Sequence, residues 1–212
     1  MSCALVCAAT AAAQGCGSSS TQNTEPENTT PFGTKDAGSG GFGATDGGAS
    51  ALPECAEETK DIFVISEEQG LYRFHPPTLQ FTSVGLLACP TAGSTPTSMA
   101  VDRFGVAWIR YHDGSLWKVS TKDLSCELTK FVSPAEGQPF SKFGMGFSTS
   151  SKGGSNEQLF LSDSATGFGI AKLDLTTFKI NYVGPFTGDL SGKAAELTGT
   201  GDGKLFGFFV TA

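Results

Sequence analysis

Past Asp61 the chain alternates short apolar runs with glycine-, aspartate- and serine-rich punctuation, the pattern of many short strands joined by tight turns. The runs begin at Ile62-Phe-Val-Ile65 and Phe81-Thr-Ser-Val-Gly85, then Ser98-Met-Ala-Val101 and Val106-Ala-Trp-Ile-Arg-Tyr111. They continue through Gly144-Met-Gly-Phe147, Gln158-Leu-Phe-Leu161 and Ile180-Asn-Tyr-Val183, and end at Ala195-Glu-Leu-Thr198 and Leu205-Phe-Gly-Phe-Phe-Val210. Between them recurs a nine-residue module: Leu71-Tyr-Arg-Phe-His-Pro-Pro-Thr-Leu79, Leu116-Trp-Lys-Val-Ser-Thr-Lys-Asp-Leu124 and Ile170-Ala-Lys-Leu-Asp-Leu-Thr-Thr-Phe178. Each copy opens and closes apolar and carries a base at its third place, Arg73, Lys118 or Lys172. A second register runs in step: the strand before each module has an aromatic, Phe63, Trp108 or Phe160, and Phe206 repeats it a fourth time.

The modules recur 45 and 54 residues apart, and repeats of that period with several strands each point to an all-β, β-propeller-like fold of antiparallel strands. Residues 61–212 hold three repeats and half of a fourth, about three and a half blades, so the expected architecture is an incomplete propeller. A sandwich also spaces short strands regularly, but it does not require matching modules. Blades stack face to face, which would explain apolar residues on both faces of Leu205–Val210 and place the recurring aromatics in the wedges between blades. Asp113-Gly114 predicts a hairpin with a type I′ turn, glycine supplying positive φ. Breaking off after an apolar strand would leave an edge open to pairing; a fragment of a longer propeller is the first explanation and closure by oligomerisation the second.

Leu71-Tyr72-Arg73-Phe74, Ser98-Met-Ala-Val-Asp102, Gly114-Ser-Leu-Trp117 and Glu196-Leu-Thr-Gly-Thr-Gly-Asp-Gly203 resemble the loosely repeated blades of uncharacterised bacterial β-propeller lipoproteins. The resemblance covers residues 61–210 and implies fold rather than activity.

The amino-terminal portion reads differently. Ala4–Ala13 is apolar and small, too short to span a bilayer, and suits the core of a secretory signal. Ala13-Gln14-Gly15-Cys16 resembles a bacterial lipoprotein processing site. It implies a signal peptide over residues 1–15 and lipidation of Cys16, and Gly17-Ser-Ser-Ser20 in place of Asp after that cysteine resembles lipoproteins sorted to the outer membrane or cell surface. The match departs from the usual form in lacking a basic residue before the apolar run and in carrying Ala13 where Leu is commonest, and an ordinary signal peptide or a disordered leader is the alternative. Residues 16–60 then form a flexible linker of Ser, Thr, Asn, Gly, Glu and Pro. Charge sharpens this division: residues 17–60 carry seven acidic and two basic side chains, while residues 61–212 are nearly balanced with 14 and 12. No basic field is present, so nucleic acid is not an expected partner.

Removal of the signal leaves Cys16, Cys55, Cys89 and Cys126. With Cys16 assigned to lipid, Cys89 and Cys126 are the expected disulfide because they follow equivalent outer strands of adjacent repeats. Cys55–Cys89 and Cys55–Cys126 stay open as rivals. No cysteine or histidine spacing suits a metal centre, and no cofactor is expected. His75 reads as a strand-end residue and His112 as a solvated neighbour of a turn. Thr198–Lys204 superficially resembles a phosphate loop, but Leu205 stands where Ser or Thr is needed. Asp102, Asp163 and Asp202 mark turns, with calcium a weak alternative. The functional expectation is a non-enzymatic, lipid-anchored binding or scaffold module for a protein or carbohydrate. The alternative is a hydrolase or lyase, its catalytic groups converging on a central channel.

Overall fold

The computed structural model describes residues 61–151 and 154–209. Among them are thirteen strands in four antiparallel sheets, and the helical content is a single 3-10 turn at Gly188–Leu190. The first sheet holds β1 (Ile62–Ile65), β2 (Gly70–His75) and β3 (Gln80–Leu86) in chain order. The second holds β4 (Pro96–Val101), β5 (Val106–Tyr111), β6 (Leu116–Ser120) and β7 (Cys126–Leu128). The third holds β8 (Phe143–Thr149), β9 (Glu157–Asp163), β10 (Ile170–Leu173) and β11 (Ile180–Gly184). The fourth is the hairpin of β12 (Ala195–Gly199) and β13 (Leu205–Phe209).

The nine-residue module is half strand and half turn. Its opening residues form β2, β6 and β10, and its ninth residue, Leu79, Leu124 or Phe178, adopts positive φ (55°, 61° and 57°). A bulky residue there is uncommon. In two copies the turn closes by the same bond, Leu124 N–H to Ser120 O (3.0 Å) and Phe178 N–H to Asp174 O (2.8 Å). The apolar ninth residue is explained by packing: Leu124 lies against the core between the first two sheets, and Phe178 against the core between the second and third.

Two clusters form the interior. One joins Leu71, Leu87 and Cys89 to Ala107, Ile109, Tyr111, Trp117 and Val119 of the second sheet. The other lies on the opposite face of the second sheet, where Ala100, Trp108 and Leu116 meet Met145, Leu159, Leu161, Ala171 and Leu173. Successive sheets thus stack face on face, and alternate residues of one strand enter different cores.

Three expectations need correction. The Asp113-Gly114 hairpin is not type I′. Only Gly114 has positive φ (88°), and the loop is four residues wide, with Asp113 Oδ1 accepting Ser115 N–H (2.9 Å) and its hydroxyl (2.7 Å). That bonding stabilises a wider turn in which one left-handed glycine suffices. Cys126 opens its outer strand rather than following it, whereas Cys89 does follow β3. Lastly, β13 is not covered on both faces: Phe206 and Phe208 are exposed because no described sheet lies beyond them.

Candidate functional site

Ser98 on β4, Gly144 on β8 and Glu196 on β12 are equivalent positions. They stand opposite Arg110, Ser162 and Phe208, each two residues after the recurring aromatic. These first strands of three sheets meet at one point. The Ser98 hydroxyl donates to Glu196 Oε2 (2.9 Å) and accepts Met145 N–H (3.1 Å), tying β4, β12 and β8 together. Gly144 makes this possible. A Cβ there would lie 2.9 Å from both Glu196 Cα and Glu196 Oε2, and closer still to the Ala195 carbonyl. Glu196 remains exposed to water, yet the atoms crowding it push its carboxyl above the ordinary value, while the Ser98 hydroxyl and Met145 N–H pull it back.

Gly144→Ala is therefore expected to lower stability by about 1–3 kcal/mol through overpacking. Gly184→Ala, at a position with open space around it, should change stability by less than about 0.5 kcal/mol. Denaturant midpoints measure both, and equal midpoints would contradict the close-approach argument.

The two sequence registers turn out to be one cross-strand pair. Arg73 stands opposite Phe63, Lys118 opposite Trp108 and Lys172 opposite Phe160. Lys118 Nζ lies 5.2 Å from the Trp108 ring centroid and Lys172 Nζ 5.3 Å from that of Phe160, cation–π geometry in both. Arg73 instead pairs through Nε with Asp61 Oδ2 (3.2 Å), whose Oδ1 meets His75 Nδ1 at 2.5 Å. The bases thus serve their own sheets rather than forming one ring.

Beside the first of these pairs a cleft of about 330 Å³ opens between the first and second sheets. Arg73 and Lys122 bring positive charge to it, Thr82 and Ser83 bring hydroxyls, and Phe63 and Val84 give an apolar wall. Phe63, Arg73 and Thr82 form one rung across β1, β2 and β3, so sheet register fixes their spacing. Lys122 comes from the turn inside the second module.

Cys89 is disulfide-bonded to Cys126, with Cα atoms 5.5 Å apart. Cys16 and Cys55 lie outside the described residues. His75 ends β2, and His112 is exposed in the β5–β6 loop, its N–H donating to Thr95 O (2.9 Å). The phosphate-loop-like stretch is the β12–β13 turn, closed by Lys204 Nζ on Asp202 Oδ2 (2.7 Å) and by Thr200 O accepting Gly203 N–H (3.2 Å).

Sequence reasoning missed the weight carried by Asp163. It is fully buried, and its two oxygens accept the N–H groups of Phe140 (2.8 Å), Ala165 (3.0 Å), Thr166 (3.1 Å) and Phe168 (2.9 Å), and the Thr166 hydroxyl (2.5 Å). The signal for the local bonds was Asp-Ser-Ala-Thr-Gly, an aspartate heading a turn. The distant bond to Phe140 left no local trace. Arg110 was missed too. Its buried guanidinium donates through Nη1 to Tyr111 O (2.6 Å) and through Nη2 to Ser141 O, and lies 5.0 Å from the Phe143 ring centroid. Burial lowers its pKa, against the pull of Asp113.

No family model and no curated protein matches the chain. Among solved structures, the extracellular domain of a one-component system from B. thetaiotaomicron is similar at 17% identity and a TM-score of 0.32, over 66% of this chain. The match spans 16% of that protein's own chain.

Proposed function

We propose that this chain is a non-enzymatic, extracytoplasmic binding or scaffold module, anchored through lipid on Cys16 at the outer membrane or cell surface. In this reading its sheets stand as propeller blades about a shared axis. The meeting of β4, β8 and β12 at equivalent residues Ser98, Gly144 and Glu196 is the observation that favours this arrangement. The Cys89–Cys126 disulfide suits an oxidising compartment. Ser98 is engaged as both donor and acceptor, which suits a structural tie better than a nucleophile.

The Arg73/Lys122 cleft is the proposed binding site, and its chemistry fits an acidic carbohydrate: charge for a carboxylate, hydroxyls for sugar hydroxyls, and Phe63 for an apolar sugar face. Titration calorimetry with a uronate oligosaccharide and its neutral counterpart tests this. The acidic sugar should bind, and Arg73→Ala with Lys122→Ala should weaken it at least tenfold. Equal binding of the neutral sugar, indifference to the double substitution, or cleavage of the oligosaccharide would overturn the reading.

A further inference from the structure

The chain enters the described fold beside the Arg73/Lys122 cleft, and it enters with a carboxylate. Asp61, immediately before β1, sets Oδ2 3.2 Å from Arg73 Nε and Oδ1 2.5 Å from His75 Nδ1. Its side chain is 13% exposed, while that of Arg73 stays 45% exposed and lines the cleft. One of the two cations at the cleft is therefore already met by an acid of this chain. Asp61 is also the last of a series: Glu54, Glu57 and Glu58 precede it, and Lys60 is the one base within residues 54–61. Four acids against one base give this stretch a net charge of −3. Residues 54–60 lie outside the described residues, and their sequence alone supplies this charge.

The second cation, Lys122, stands on the opposite wall, contributed by the second sheet. A chain spans at most about 3.3–3.6 Å per residue, so Glu58 lies within about 11 Å of Asp61 and Glu57 within about 14 Å. Those spans suffice to cross a cleft of about 330 Å³. A group tethered so closely acts at an effective concentration in the millimolar range, which an unlinked anion must overcome. We propose that this acidic stretch is an internal ligand of the cleft: Glu57 and Glu58 pair with Lys122 while Asp61 holds Arg73. The pairing rests on the cleft being the binding site and supplies its regulation, because an acidic carbohydrate then binds by displacing the stretch. Charge complementarity and reach both single out this segment, and Asp61 shows its last carboxylate already in place. An internal ligand docked about 90% of the time leaves about a tenth of the clefts open and weakens an external ligand about tenfold.

Two measurements on the full chain read the internal contact and the sugar separately. Carbodiimide coupling without added spacer, followed by peptide mass spectrometry, should join Lys122 to Glu57 or Glu58 in the absence of any sugar. High salt, which screens charge pairs, should reduce that product. Glu54→Gln with Glu57→Gln and Glu58→Gln keeps side-chain length and removes the charges. This triple variant should bind the uronate oligosaccharide at least fivefold more tightly than the parent chain by titration calorimetry. Added to Arg73→Ala with Lys122→Ala, the same three substitutions should change nothing. Absence of the Lys122 cross-link overturns the proposal, and so does uronate binding that the triple substitution leaves unchanged. The cross-link with no uronate binding in either chain instead overturns the carbohydrate reading and upholds the internal contact.

Discussion

Removing the Cys89–Cys126 bridge, by reduction or by paired substitution with serine, is expected to cost about 4 kcal/mol. The half-cystines are 37 residues apart, and cross-linking a loop of that length removes about this much unfolded-chain entropy. The loss should be local before it is global. Cys89 follows the last strand of the first sheet and Cys126 opens the last strand of the second, so the bridge clamps the two outer margins. Among the described residues, the first sheet buries its side chains against the second, through Leu71, Leu87 and the half-buried Phe63, Ile65 and Val84. Three strands attached by one modest core form the unit most prone to separate opening. Hydrogen exchange with and without reductant reads this directly. Amides of β1–β3 should lose protection first, while β8 and β9 keep theirs. Uniform loss across all sheets, or none, would contradict a clamping role.

Asp163→Ala should cost about 3 kcal/mol, the upper end of the penalty for leaving buried donors unsatisfied and a large share of the stability of an ordinary domain. The substitution strands the N–H groups of Phe140, Ala165, Thr166 and Phe168, each of which then loses its charged acceptor. Asp163→Asn should rescue little. Both oxygens accept, so either amide orientation sets an NH₂ against N–H donors. Thermal unfolding measures both variants, and an Asn variant as stable as the parent would contradict the argument.

The same site predicts a pH dependence. Burial alone would raise the Asp163 pKa, but the hydrogen bonds from Thr166, Phe168, Phe140 and Ala165 together outweigh it and hold the group below its ordinary value of 3.8. A depressed folded-state pKa contributes stability that is complete above the unfolded value and is lost as pH falls through the folded one. Acid unfolding should therefore steepen below about pH 4, and less so in Asp163→Ala. Glu157 and Glu196 act in the opposite sense. Desolvation raises both, so their protonation relieves an unfavourable charge and partly offsets the loss.

The periodic features were legible because they repeat. Every apolar run from Ile62 to Leu205 lies on a strand, and the modules lie where strands β2, β6 and β10 turn outward. The Cys89–Cys126 pair followed from the same periodicity, even though Cys126 opens its strand rather than following it. Turn geometry was less legible. Asp113-Gly114 reads identically in a two-residue and a four-residue loop, and the Ser115 hydroxyl tips the balance. The meeting of β4, β8 and β12 was not legible at all. Ser98, Gly144 and Glu196 share a register but not a residue type, because each does a different task at one crowded point.

By itself the sequence determined an all-β chain of repeating strand units, since strand periodicity and turn chemistry act over a few neighbouring residues. It also supplied both partners of the base-and-aromatic register. Only the tertiary structure decided that these partners face each other across adjacent strands, because pairing register depends on turns whose width the residues leave open. It likewise decided that Phe206 and Phe208 lie uncovered while Trp108 and Arg110 do not. The local chemistry of the four strands is alike; what differs is whether another sheet lies against them, and burial is a property of neighbours rather than of residues.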